Sequence, residues 1–363
     1  MDTKEPVVRE RTSSRSSRIR VGAYLGAVIL AALLVWLTGC APTRAHLQPL
    51  NLSDTLMPRF EPEADRFVTH DGAVLGLTVW DAKNEDGETV LEPTHVVVGI
   101  HGMNDYAQAF YTAAPWWADR GVKTYAFDQR GFGRSEGRGR WPREDLMRAD
   151  LRTAISIARE RHPDAVLTVV GISMGGAVAM TLFGGNNPPS GVDRLILSGP
   201  GLRGWGGLPL AHQVSLWAST KLRPGWVVRP PKVVQRQITA SDNIEMLRER
   251  GRDQLNIFYN RIDQVYGVVS VMENAHKAAE NLPENTFFLY GAKDDIIPEH
   301  YVKRTAPSLP DHVKTAYYEN GYHMLMRDLS AELVWADQLS FMKDPDAPLP
   351  SGSPPLPESW TND

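Results

Sequence analysis

Gly171-Ile172-Ser173-Met174-Gly175-Gly176 is the stretch whose residue types could do chemistry. An apolar run, Ala165 to Ile172, precedes the serine, and a run of small and apolar residues, Gly175 to Phe183, follows it. The first reads as a buried strand and the second as a buried helix. A serine at such a junction projects from a sharp turn, and side chains at Gly171 and Gly175 would collide with the neighbouring strand and helix. The helix that starts there aims unpaired N–H groups at developing negative charge. As a bare pattern Gly-x-Ser-x-Gly is weak, and the strand–turn–helix context is what carries it.

A serine hydroxyl needs a base to take its proton. A neutral imidazole does this near neutral pH, and a carboxylate fixes its tautomer and orientation. Tyr290-Gly291-Ala292-Lys293-Asp294-Asp295 follows an apolar run at Thr286 to Tyr290. Glu319-Asn320-Gly321-Tyr322-His323 follows another at Val313 to Tyr318. Both runs read as strands, so an aspartate and a histidine stand at strand ends downstream of Ser173. Serine, then acid, then histidine is the chain order of a nucleophile elbow on an α/β sheet. His323 leads because none of the other core histidines follows the last strand, and His162, His276 and His312 are read as surface residues. Asp294 and Asp295 are not separated by position alone. Two N–H donors must meet the oxyanion. Met174, next after the serine, supplies one. Met103, in His101-Gly102-Met103-Asn104 after the strand ending at Ile100, supplies the other. His101 precedes that turn and is read as structural.

The elements that position these groups alternate. Residues 66–70 and 73–80 flank Asp71-Gly72, a hairpin signal. Val96 to Ile100, Thr124 to Phe127 and Leu195 to Ser198 read as further strands. A helical stretch is expected near 107–119, and 144–161 carries Met147, Leu151, Ile155 and Ala158 on one helical face. The alternation predicts an α/β fold, a mostly parallel sheet with helices on both faces. From about 200 to 285 it stops. That stretch has helical patterns and the aromatics Trp205, Trp217, Trp226 and Tyr259, and is expected to be a helical cap over the sheet's ligand end.

Bulk properties narrow the classes. The chain has 363 residues, 42% hydrophobic and 23% charged, enough to bury a core. A net charge of −4 offers no broad surface for nucleic acid. Arg130, Arg134, Arg138, Arg140 and Arg143 are interleaved with Glu136, Glu144 and Asp145, and read as a solvated, ion-paired turn. Cys40 is the sole cysteine, so no disulfide framework or multi-cysteine zinc site exists. No metal-binding, P-loop or dinucleotide motif is present, and neither cofactor nor metal is expected.

The N-terminus reads as an address. Arginines within residues 1–20 precede an apolar run from Val21 to Leu37 and then Leu37-Thr38-Gly39-Cys40. The last four residues resemble the lipobox of bacterial lipoproteins. That resemblance implies cleavage before Cys40, its acylation, and a globular part in the cell envelope outside the cytoplasm. Ala41 in second position carries no aspartate retention signal, which points to the outer membrane. Residues 41–62 read as a tether, 63–343 as the catalytic domain, and the Pro- and Ser-rich 344–363 as a disordered tail.

At these motifs the chain resembles the monoacylglycerol lipase and lysophospholipase group of α/β-hydrolases, over about residues 64–342. His101-Gly102, Asp128-Gln129-Arg130-Gly131-Phe132-Gly133-Arg134-Ser135-Glu136-Gly137, the serine motif and the final histidine match in order. The group's Gly-x-x-Asp falls on Gly291 to Asp294 and so prefers Asp294. Arg252-Asp253-Gln254-Leu255 looks like the group's Asp-Pro-Leu, with glutamine in place of proline. The resemblance implies a Ser173, Asp294, His323 triad. It also implies hydrolysis of a lipid or small-molecule ester with an apolar acyl chain, met at a membrane through lipidated Cys40. The same group includes proline-releasing aminopeptidases, so amide hydrolysis is one alternative. An envelope protein using the fold as a binding module is another.

Overall fold

The computed structural model describes residues 57–229 and 238–361. The basic leader, Cys40 and all but the end of the tether lie outside the described residues.

Nine strands form one sheet. In chain order they begin with β1 (Arg59–Glu61), β2 (Arg66–Val68), β3 (Val74–Trp80), β4 (His95–Ile100) and β5 (Val122–Phe127). Then come β6 (Val166–Ile172), β7 (Arg194–Ser198), and, after a two-residue pair β8 (Val227–Val228) and β9 (Asn260–Arg261), β10 (Thr286–Gly291) and β11 (Lys314–Tyr318). The sheet order is β1-β2-β3-β5-β4-β6-β7-β10-β11. The first three strands run antiparallel to their neighbours, and every pair from β5 to β11 is parallel. Parallel strands carry their C-terminal ends to one edge, which is why Ile100, Ile172 and Gly291 deliver their loops to the same place.

Each central strand is buried on both faces, as its unbroken apolar run requires. Val96, Val98 and Ile100 of β4 enter one core, and Val97 enters the other. The helices are α1 (Ala113–Ala118), α2 (Glu144–Arg161), α3 (Met174–Phe183), α4 (Leu210–Leu222), α5 (Ile244–Arg252), α6 (Ile262–Ala278), α7 (Glu299–Thr305), α8 (Ala331–Lys343) and α9 (Glu358–Thr361). Helices α2, α3 and α6 cover one face, with Met147, Leu151, Ile155, Ala158, Val271 and Ala275 in its core. Helices α1 and α8 cover the other through Trp117, Val334 and Phe341. Helix α2 opens on Glu144 and Asp145 and closes on Arg159 and Arg161, charges placed to suit its dipole. Among the described residues no helix is long and apolar enough to cross a membrane.

Four expectations need correction. The cap is shorter than 200–285, because α6 packs on α3, with Val271, Met272 and Ala275 buried in the core of that face. Its apolar face is a core-facing stripe that composition alone does not tell from a cap helix. The tether ends earlier, since Arg59–Glu61 pairs with β2 as an edge strand. The tail is not disordered. Leu356 and Trp360 are buried, Trp360 packing on Tyr290 and Tyr317 at ring separations of 5.9 and 5.5 Å. Its prolines need few backbone partners, and the tail covers the outer edge of β11: Tyr317 N–H donates to the Pro354 carbonyl at 2.7 Å. Finally, Arg130 is not solvated. It is buried, donating to both Asp71 and Asp150 at 2.8 and 2.7 Å. The carboxylates that pair with it are remote in sequence, so local charge spacing did not reveal them. His70, Asp71 and Asp150 have metal-ligand spacing, but the Arg130 guanidinium already holds both carboxylates.

Candidate active site

Ser173 sits between β6 and α3 at φ 51°, ψ −116°. A non-glycine residue rarely adopts this conformation, which costs on the order of 1–3 kcal/mol. The surroundings hold it there. Ser173 N–H donates to the Ser198 carbonyl at 3.0 Å, and its carbonyl accepts from Gly201 at 2.9 Å and Ala177 at 3.0 Å. A Cβ at Gly175 would stand 2.4 Å from the Ile100 carbonyl, and one at Gly171 would stand 2.8 Å from the Gly176 Cα. Those are the strand and helix collisions expected from the motif.

The structure brings the three sequence-selected side chains together. His323 Nε2 lies 2.9 Å from Ser173 Oγ, and His323 Nδ1 lies 2.7 Å from Asp294 Oδ2. Asp294 Oδ1 accepts the Ile296 and Ile297 N–H groups, each at 2.8 Å. All three residues are nearly buried. Asp295 points elsewhere and accepts the Thr239 N–H at 3.0 Å. The geometry therefore separates the two aspartates that position alone left open.

Met103 and Met174 flank the serine, and Gly102 is close enough that a Cβ there would stand 3.0 Å from Ser173 Cβ. Among the described residues neither methionine N–H donates to a loop, turn or cap carbonyl. His101 braces this loop. It is fully buried, with Nδ1 2.7 Å from the Gly102 carbonyl and Nε2 accepting the Gln129 N–H at 2.8 Å. Burial pulls its pKa below the ordinary value, so the ring is neutral and its tautomer is set by those two bonds. The Asp128–Gly137 turn acts from behind. Asp128 accepts the Ala107 N–H at 2.9 Å and the Arg134 N–H at 2.8 Å, and Ser135 Oγ bonds back to its carbonyl.

A cavity of about 590 Å³ opens over Ser173 and His323. Ile238, Ile257, Phe258 and Tyr259 give it apolar cap-side walls. Of the four aromatics noted in the insertion, Tyr259 lines this cavity and Trp205 packs edge-on against Tyr266 at 5.0 Å. Trp217 and Trp226 are exposed. Asp253, from the altered Asp-Pro-Leu segment, accepts the Tyr106 hydroxyl at 2.7 Å and ties the cap to the loop after Met103.

Sequence reasoning missed three charged residues of the cavity wall: Asp105, Arg250 and Arg327. Arg327 donates to Asp105 Oδ2, and Arg250 Nε lies 3.5 Å from the same oxygen. Burial pushes the Asp105 pKa up, but Arg327 and Arg250 together pull it further down, below the ordinary carboxylate value. The available signal was an aspartate two residues beyond a proposed oxyanion donor.

A mostly parallel sheet covered on both faces, with a strained serine at the C-terminal edge of a central strand, defines an α/β-hydrolase. Residues 91–330 match the Hydrolase_4 family, described as serine aminopeptidase, S33. The chain belongs to that family. A monoacylglycerol lipase of Mycolicibacterium smegmatis is 27% identical over 266 residues, covering 69% of this chain and 89% of the relative. Among solved structures, a monoacylglycerol lipase of Paleococcus ferrophilus superposes with a TM-score of 0.57 at 20% identity, covering 74% of this chain and 98% of that one. A soluble variant of the Saccharomyces cerevisiae monoglyceride lipase, bound to a substrate analogue, gives 0.63 at 17% identity, with 81% and 98% covered.

Proposed function

We propose that this protein is a serine hydrolase that cleaves carboxylic esters of apolar acyl chains, of the monoacylglycerol or lysophospholipid type. The hydrogen-bonded line from Ser173 Oγ through His323 to Asp294 carries the reading. His323 Nε2 takes the Ser173 proton as Oγ attacks the ester carbon. The carbonyl oxygen becomes an anion, and the Met103 and Met174 N–H groups stabilise it. His323 then gives its proton to the departing alcohol, leaving an acyl-Ser173. A water, deprotonated by His323, attacks that acyl group and restores the serine. Asp294 holds the Nδ1–H tautomer and offsets the imidazolium charge. The apolar cap-side walls suit an acyl chain, and the named lipases among its relatives support an ester substrate.

The test is Ser173→Ala on the full-length protein. Ester hydrolysis and labelling by a serine-directed phosphonate should both vanish, and labelling that persists would remove Ser173 from the role. The description of the family as serine aminopeptidases favours one second reading, release of N-terminal residues from peptides. A panel of acyl esters and proline-terminated amides separates the two. Faster turnover of the amides would favour the peptidase.

The same proposal places the enzyme in a bacterial envelope, anchored through acylated Cys40. Acyl chains buried at about 0.8 kcal/mol per CH₂ give a durable anchor. Exposed Leu210, Val214 and Trp217 on α4 suit work beside lipid. Metabolic labelling with palmitate should mark the wild-type protein and not Cys40→Ala, and equal labelling of both would reject acylation at Cys40.

A further inference from the structure

The ester reading gives no task to the charged wall of the cavity. Apart from His323, that wall carries Arg250 and Arg327 against Asp105, two positive groups to one negative. Both guanidinium groups converge on a single oxygen, Asp105 Oδ2, while Oδ1 accepts the Tyr106 N–H at 3.0 Å. Asp105 is thus bonded by Arg327 and the backbone and shared, at longer range, with Arg250. Arg250 is left with a poor share. Its Nε is shielded from solvent and makes no hydrogen bond, and its Nη2 reaches the Asn104 carbonyl only at 3.3 Å. Burial pulls the Arg250 pKa down; Asp105 opposes this, and Arg327 adds to it. Asp253 also acts on Arg250 through space. Its carboxylate, however, is engaged by the Tyr106 hydroxyl, the Leu255 N–H and Asn256 Nδ2, and with Glu249 it lines a neighbouring cavity that Arg250 and Arg327 also border. The Arg250 side chain is 21% exposed, so only part of it is in water, and a guanidinium nitrogen shielded from solvent without an acceptor carries a cost that a bound anion would reduce.

The position of the pair says which part of a substrate it meets. Asp105 lies two residues beyond Met103, and Arg327 closes the short helical turn Leu325–Arg327 that follows His323. His323 must sit beside the alcohol it protonates. The wall next to it is therefore the alcohol side, and the apolar cap residues are left for the acyl chain.

We infer that Arg250 and Arg327 hold a phosphate on the alcohol half of the ester, so that the preferred substrate is an anionic lysophospholipid and not a neutral monoacylglycerol. The inference rests on the ester reading above. Guanidinium forks suit the several oxygens of a phosphate, and each charge-assisted contact of this kind is worth roughly a ten- to hundredfold preference.

The experiment compares kcat/KM of the full-length enzyme on two esters with the same palmitoyl chain, lysophosphatidylglycerol and monoacylglycerol, in neutral detergent micelles. Wild type should favour the phosphate ester by about tenfold or more. Arg250→Gln should lower that ratio by about tenfold, leaving the Arg327 contribution, and Arg250→Lys should restore part of it. The ratio is its own control for general damage. An arginine that merely pins the cap to Asn104 would lower both rates together, and an unchanged ratio in Arg250→Gln overturns the inference. A wild-type ratio near one overturns it as well. Hydrolysis of neither ester overturns the ester reading, and this inference with it. A readout that needs no variant is competition. Glycerol 3-phosphate should inhibit hydrolysis of the neutral ester while glycerol at the same concentration does not, and equal inhibition by both would refute a phosphate site.

Discussion

Replacing Asp294 by asparagine should leave the protein folded and almost inactive, and the structure says why. The carboxylate does two jobs. Oδ2 faces His323 Nδ1 at 2.7 Å, and Oδ1 accepts two backbone N–H groups at 2.8 Å. Asparagine has one acceptor and one donor, so it cannot do both. With its oxygen toward His323, the amide NH₂ opposes the Ile296 and Ile297 donors, and each buried donor left unpaired costs about 1–3 kcal/mol. With its oxygen toward those donors, the fold is intact but the NH₂ faces the ring. The imidazole must then accept at Nδ1 and carry its proton on Nε2, where it points at Ser173 Oγ and cannot take a proton. The second orientation wins because it avoids two unpaired donors. The expected loss in kcat is about 10³- to 10⁴-fold, equivalent to roughly 4–5.5 kcal/mol of transition-state stabilisation. Steady-state hydrolysis of a short p-nitrophenyl ester measures it, with the melting temperature as the folding control. Asp295→Asn is the matched comparison, since among the described residues Asp295 accepts only the Thr239 N–H, and it should stay within about threefold of wild type. An Asp294→Asn enzyme that keeps more than about a tenth of wild-type kcat, or an Asp295→Asn enzyme just as impaired, would refute the argument.

Acid should destabilise the fold through its histidines. Burial holds His101 below its ordinary pKa, and does the same to His95, His162 and His276. The unfolded chain therefore binds more protons than the folded one just below the ordinary histidine pKa of about 6.5, and stability falls as pH drops through that value. Asp150 has the opposite sign, because burial raises it to about 6, and it cancels part of the effect at lower pH. Calorimetry at pH 6.5 in buffers of different ionisation enthalpy should show net proton uptake on unfolding; net release would show the sign to be wrong. The tail should also carry stability. Trp360→Ala removes a buried ring from Tyr290 and Tyr317, at a cost of about 3 kcal/mol. A urea midpoint equal to wild type would show that the tail only rests on the sheet.

The sequence exposed those parts of the site that depend on short spacing. Ser173 announced itself because its turn needs glycines at fixed offsets, and His323 and Asp294 because each follows an apolar strand. The same logic proposes Met103 and Met174 as oxyanion donors, since their place is set by the chain next to a glycine and next to the serine. What it could not reach depends on pairing across the fold. Arg130 meets Asp71 and Asp150, the former from the hairpin and the latter from α2. No local charge pattern encodes that, so a buried ion-pair cluster looked like a solvated turn. The Pro-rich tail was misread for a related reason. Composition measures how little it can bury alone, whereas its order comes from the open edge of β11 and from two aromatic partners already in place.

The charged wall of the cavity is the sharpest case. Arg250 belongs to a cap helix, Asp105 to the loop after β4, and Arg327 to the turn after His323. Each alone is an ordinary surface-type residue. Only closure of the cap over the sheet brings two arginines onto one carboxylate in the cavity beside the proposed nucleophile. A fold that needed this trio merely to hold the cap would be served by one arginine and one aspartate, since that pair is already complete. The second arginine adds desolvation cost and a repulsion from Arg327 without gaining a carboxylate of its own in this wall. Such a cost is understandable where a ligand's anion meets it. The proposed headgroup preference therefore rests on a pairing across the fold that the sequence did not reveal.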